Sequence, residues 1–199
     1  MAFTPILKLK LLFSVCMGIV VCASSSSALI IDNGTSATDT DTNLEWLDLT
    51  ETLGDTWNQV EASSFVTVDG YTHATAAQVT TLFLNAGFLT TNNANNPLND
   101  PAAATLLSAL GCTQFCGTVN ATGRGFADNG GTWTTRSNYH TSGLGAGAAV
   151  ISLQTTNKDL SDATAGHFLV RTVVPEPSTA ILLLGGLACL GARRRHAES

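Results

Sequence analysis

The chain predicts an α+β fold, an antiparallel sheet carrying two to three helices, and three observations lead there. Apolar alternation marks strands at both ends of the body, residues 28–49 and 131–173. Three stretches at helical spacing stand between them, each opened by a side chain able to cap. Glycine, asparagine, aspartate and threonine fill the connections. Without its apolar ends the chain is one polar domain over residues 29–173, long enough for a single core, and it shows no internal repeat.

In order, alternation at residues 28–31 and 44–49 predicts two strands joined by a turn over 32–43. Trp46 and Trp57 fall in apolar patterns and are read as core. Trp57, Val60 and Ser64 share one helical face behind Asp55, a candidate N-cap. After Gly70 a short extended piece, 71–74, leads to Thr75, which caps a helix with the stripe Val79, Leu82, Phe83 and Ala86 and a stop at Gly87. Residues 90–99 are polar enough for a surface excursion. Asp100 caps the third helix, Pro101 takes its first position and Gly111 ends it. Strands are then expected at 131–135, 148–154 and 167–173, the last with Phe168, Val170 and Thr172 on one face.

Both ends are targeting segments. Lys8 and Lys10, the apolar run 11–21 and the small residues after it have the order of a secretory signal peptide. Ser26 and Ala28 favour cleavage after Ala28, which assigns residues 1–28 to the signal; Ala23 and a lipoprotein site at Cys22 are poorer because of bulky Val21. At the other end, residues 180–192 carry no charge and would span ~20 Å as a helix, against a hydrocarbon core of ~30 Å. Arg193, Arg194 and Arg195 follow and would stop transfer, since guanidinium groups resist crossing hydrocarbon. Such a helix is marginal as a permanent anchor.

Pro175-Glu176-Pro177, the apolar segment and the basic cluster resemble the PEP-CTERM sorting signal of Gram-negative bacteria that make exopolysaccharide. The resemblance implies that exosortase, a membrane-embedded cysteine protease, recognises Pro175, Glu176 and Pro177 and cuts near them. The product would then be released or transferred to the cell surface or exterior. An ordinary tail anchor is the alternative, with Pro-Glu-Pro as a helix-breaking boundary. Only three residues separate Arg171 from Pro175, so the domain is expected to sit close against the inner membrane until the cut.

The body holds Arg124, Arg136, Lys158 and Arg171 against thirteen acidic residues, a net charge of −9. With no basic patch to displace counterions from phosphates, nucleic acid is excluded as a partner. Cys112 and Cys116 are the body's two cysteines, and an oxidising compartment favours a small disulfide loop. A metal pair would need a second ligand pair, and a redox dithiol the Cys-x-x-Cys spacing.

Asn43-Leu44-Glu45-Trp46-Leu47-Asp48, Thr56-Trp57-Asn58-Gln59-Val60, Gly70-Tyr71 with Ala74-Thr75 and Val79, and Phe168-Leu169-Val170-Arg171 are similar to the Lcl-type C-terminal domains. That resemblance implies a C-type-lectin-like fold without an established activity. The chain departs from the family at Tyr71-Thr72-His73-Ala74-Thr75 and Gly131-Thr132-Trp133-Thr134-Thr135, which touches a ligand site more than the fold.

Few residues point to chemistry. Asp39, Asp41 and Asn43 match the opening of a calcium loop, but Leu44 and Thr50 stand where glycine and a bidentate Glu are required, so a self-bonded turn is expected. His73, His140 and His167 lie on separate elements without metal-ligand spacing, and their placement is read as chance. No catalytic residue, metal or cofactor is expected. Trp133, Asn138 and Tyr139, in a loop over 128–147, could stack on and hydrogen-bond a sugar, with strand packing as the alternative. The sequence thus favours a non-catalytic, exopolysaccharide- or biofilm-associated surface protein, ahead of a carbohydrate-binding module and a secreted hydrolase.

Overall fold

The structure is a computed structural model that describes residues 29–91, 96–131, 133–141 and 147–173; side chains are described for these except Trp133 and residues 151–156. The signal peptide, residues 1–28, and the sorting segment 174–199, with Pro175, Glu176, Pro177 and Arg193, Arg194 and Arg195, lie outside the described residues.

Helices and predominantly antiparallel sheets combine as expected, but in two sheets rather than one. The first runs β1 (Ile30–Asp32), β2 (Ser36–Asp39), β3 (Leu44–Leu47), β9 (Leu169–Thr172), β4 (Thr72–His73). The second runs β7 (Ala148–Asn157), β6 (Trp133–His140), β5 (Thr122–Asp128), β8 (Gly166–His167). The β5–β8 pairing is parallel and every other described ladder is antiparallel.

Two strands were hidden. β2 lies inside the expected turn 32–43, because Ser36 to Asp39 pair in register with Leu47 to Leu44 and supply the ladder bonds that β3 needs on that side. β5, Thr-Gly-Arg-Gly-Phe-Ala-Asp, has glycines where a strand would show apolar residues. The sheet needs them small: a Cβ on Gly123 would lie 2.2 Å from Cζ of Tyr139, its cross-strand neighbour on β6. The expected strand 167–173 is broken at Phe168, where the chain passes from the second sheet to the first. Phe168 N donates to Phe126 O at 2.9 Å and Ala74 N donates to Phe168 O at 2.8 Å, so one residue bonds both sheets.

The helices are α1 (Trp57–Glu61), α2 (Ser64–Thr67), α3 (Ala76–Asn85) and α4 (Asp100–Leu110). Thr56, not Asp55, caps α1, since a glutamine three residues later completes a capping box with Thr56. α1 ends at Glu61 with Ala62 as its C-cap, short of Ser64, which opens α2; between them the Ser63 hydroxyl donates to Val60 O at 2.6 Å. Thr75 and Gln78 form the second capping box, and α3 ends before Gly87 at φ +103. Asp100 is the first residue of α4, not its cap, because a 3-10 turn over Pro97–Asn99 feeds straight into the helix. Asn99, expected at the surface, is buried and accepts from Leu89 N at 3.0 Å.

The main core joins Trp46 and Val170 of the first sheet, Phe168 between the sheets, Val79, Leu82 and Phe83 of α3, Ala103, Leu106 and Leu110 of α4, and Tyr139 of the second sheet. Leu47 and Leu169 point the other way, into a smaller cluster with Val60 and Tyr71. Strands β3 and β9 are thus buried on both faces. Among the described residues no helix is long and apolar enough to cross a membrane.

Candidate functional site

Asn138 and Tyr139 do not share a surface, and the side chain of Trp133 lies outside those described. All three lie in β6 rather than in a loop, and a strand sends consecutive side chains to opposite faces. Tyr139 is buried, edge-on to Phe83 with ring centroids 5.8 Å apart, and its hydroxyl donates to Gly111 O at 3.1 Å. Burial raises its phenol well above the ordinary value. It cannot stack on a sugar. Asn138 faces the other side of the sheet, level with Arg124 on β5.

Cys112 and Cys116 stand in disulfide geometry with Cα atoms 5.6 Å apart, just past the end of α4. Asp39, of the calcium-like run, is buried; its carboxylate accepts from Asn85 Nδ2 at 2.9 Å and from Asp41 N at 3.0 Å. That is the self-bonded turn, with Asn43 in the left-handed region at φ +54. Among the described residues no three His, Cys, Asp or Glu side chains are grouped to hold a metal ion.

Two of the three histidines, His73 and His167, are brought together by the fold, while His140 lies apart from them. His73 on β4 and His167 on β8, 94 positions apart, meet with Nε2 of the first 3.1 Å from Nδ1 of the second. Trp57 stacks on His73 with centroids 3.4 Å apart and 11° between planes, and meets His167 edge-on at 6.0 Å. Lys158 holds its ammonium 4.1 Å from the Trp57 centroid. Glu61, at the end of α1, puts Oε1 2.8 Å from His73 Nδ1; the His73 side chain is 3% exposed and that of Glu61 48%. Sequence spacing held no sign of this, because the loops that join α1, β4 and β8 set the distances.

Hydrogen-bond bookkeeping fixes the protons. Asp55 O, 3.0 Å from His167 Nε2, can only accept, so that nitrogen carries a proton. A neutral His167 then accepts at Nδ1, His73 donates from Nε2, and the bare Nδ1 of a neutral His73 faces Glu61. Burial, then His167 and Lys158, push His73 down to about 3, and burial lowers His167 as well. The chain of contacts begins at a half-exposed carboxylate and ends on a backbone carbonyl. All four ring nitrogens of this pair lie within 3.1 Å of a protein nitrogen or oxygen.

Where the described fold ends, a second polar cluster fastens β9. Arg171 reaches its cross-strand partner Glu45 through two bonds, Nε to Oε2 at 2.9 Å and Nη2 to Oε1 at 3.0 Å. Glu45 also accepts from Ser36 Oγ and from the Tyr71 hydroxyl, and the guanidinium lies 4.6 Å from the Tyr71 centroid. The Arg171 hydrogen bond holds the Glu45 carboxyl below its ordinary value, while burial and then Glu45 raise Tyr71 to about 12. Val173 N donates to Asn43 O at 3.0 Å, the last bond before the tail.

Comparison with known proteins speaks to that tail. No curated protein and no solved structure matches the chain. Over residues 173–195, starting at the last bonded residue of the fold and containing both Pro175-Glu176-Pro177 and the three arginines, the chain matches the family model of the PEP-CTERM protein-sorting motif.

Proposed function

We propose that the chain is an exported, non-catalytic surface or extracellular-matrix protein, processed by exosortase and associated with exopolysaccharide or biofilm. The sorting motif at residues 173–195 carries this reading. The signal-like N-terminus supports export, and the short arginine-stopped apolar run supports transient anchoring in the inner membrane. Pro175, Glu176 and Pro177 serve as the recognition element. The non-catalytic assignment draws support from the histidine pair, the body's most enzyme-like constellation, whose nitrogens are all spent on protein contacts.

Intact-mass measurement on protein from the culture exterior, beside that from a strain lacking its exosortase, tests the reading. The external protein should end near Pro-Glu-Pro, and the mutant strain should retain a species with the arginine terminus. External protein that still carries Arg193 to Arg195 would overturn it.

A second reading, a C-type-lectin-like carbohydrate-binding module, rests on the Lcl-type resemblance. A polar groove at the outer face of β5 and β6 favours it.

A further inference from the structure

We infer that this groove, beside the ring closed by Cys112 and Cys116, is a carbohydrate-binding site in which Phe115 stacks on the C–H face of a pyranose and the side chains around it bind the hydroxyls. The groove has a volume of about 390 Å³ and is lined by Gln114, Phe115, Asn120, Arg124, Asn138 and His140, among others.

Three observations point to a ligand. Phe115 is 60% exposed and sits at φ +55, a conformation that costs a bulky L-residue ~1–2 kcal/mol, although the exposed ring gains nothing from a core in return. Asparagine or glycine would serve a purely structural turn better there. Second, the groove wall brings carboxamide, hydroxyl and imidazole groups of Gln114, Asn120, Thr122, Asn138 and His140 together around one volume. Third, β5–β6 register puts Thr122 opposite His140 and Arg124 opposite Asn138, so the polar floor is built on a rigid ladder, not on a loop.

An aromatic plate over carboxamide, guanidinium and imidazole groups matches a sugar's alternation of C–H and O–H faces. An acidic body with so polar a groove does not suit the alternative for an exposed phenyl ring, insertion into a bilayer. Choosing a polysaccharide as the natural ligand rests on the matrix reading above; the site itself does not. Of Asn138 and Tyr139, Asn138 lines this groove and Tyr139 is buried in the core.

The test uses the secreted protein on an array of neutral-hexose, N-acetylhexosamine and uronic-acid oligosaccharides, with phosphatidylcholine vesicles as a parallel arm. Wild type should bind at least one glycan class and leave the vesicles free. Phe115→Asn, which keeps a residue tolerant of positive φ, should weaken that binding at least tenfold with thermal stability unchanged or raised, and Asn138→Ala should weaken it about fivefold. A flat array, glycan binding indifferent to both substitutions, or Phe115-dependent binding to vesicles alone would each overturn the proposal. Exosortase processing is read separately by mass, so the two readings fail independently.

Discussion

Acid should unfold this domain through its histidine pair, and the size of the effect follows from the geometry. His73 is held at about 3 against an ordinary value of 6.5. A base whose value is depressed on folding stabilises the native state fully above the unfolded value and loses that contribution as pH falls toward the folded one. The window is therefore pH 6.5 to 3, with a slope of about 1.4 kcal/mol per pH unit. At pH 4.5 this comes to about 3 kcal/mol, and His167, lowered by the same burial, acts in the same direction. Glu61 offsets part of it by accepting from a protonated His73, but with its side chain about half exposed the pair returns only about 1 kcal/mol. A net loss of about 2 kcal/mol is a large share of an ordinary domain's stability. Urea unfolding of wild type and His73→Gln at pH 7 and 4.5 measures it, because glutamine keeps a planar amide on Trp57 without a titrating proton. Wild type should lose about 2 kcal/mol more than the variant between the two pH values. Parallel stability curves would refute the reasoning.

Other perturbations have defined signs. Burial, then Asp32 and Glu51, raise Asp48 to about 6, so it favours the native state at low pH and opposes it as pH rises through 6; Asp48→Asn should raise stability by about 1 kcal/mol at pH 7.5 and by little at pH 4, in urea melts. Gly123→Ala should cost about 3 kcal/mol in the same melts, since the new methyl would overlap the buried Tyr139 ring. Arg171→Ala leaves Glu45 partly buried and unpaired and should cost about 2 kcal/mol by denaturation, with faster amide exchange at Val173 as β9 frays. Replacing Cys112 and Cys116 by serine, or adding reductant, should lower stability by about 2 kcal/mol, the loop entropy of a short ring, which calorimetry reads as a drop in Tm of several degrees.

The legible parts of this fold were those with local causes. Helix α3 follows from Thr75, Gln78 and Gly87 alone, because a capping box and a left-handed stop are decided within one turn of the chain. Trp46 and Trp57 were rightly read as buried. The strands that escaped were those whose reason lies elsewhere: β2 exists because β3 needs a partner, and the glycines of β5 because Tyr139 and Phe168 fill the space above them. The histidine pair escaped for the same reason, as its 3.1 Å contact joins β4 to β8 across most of the body. Of the residues expected to meet a sugar, Asn138 lines the groove while Tyr139 is buried in the core, since strand alternation puts neighbours on opposite faces.

The same non-local logic ties the fold to its tail. β9 is the last strand made, yet it lies inside the first sheet, bonded to β3 on one side and β4 on the other. Leu169 and Val170 fill two separate apolar clusters, and the preceding Phe168 bonds both sheets. The first sheet therefore cannot close, nor either cluster fill, until residues 168–172 have been delivered. In this chain the sorting motif begins at residue 173, immediately after them. Val170 is paired on both edges, whereas Arg171 and Thr172 are held by β3 alone, where the paired Arg171 and Glu45 reinforce the ladder. The Pro-Glu-Pro element thus starts two residues beyond Val173, the last described residue of the fold, and the cut proposed above would leave β9 and both of its clusters intact.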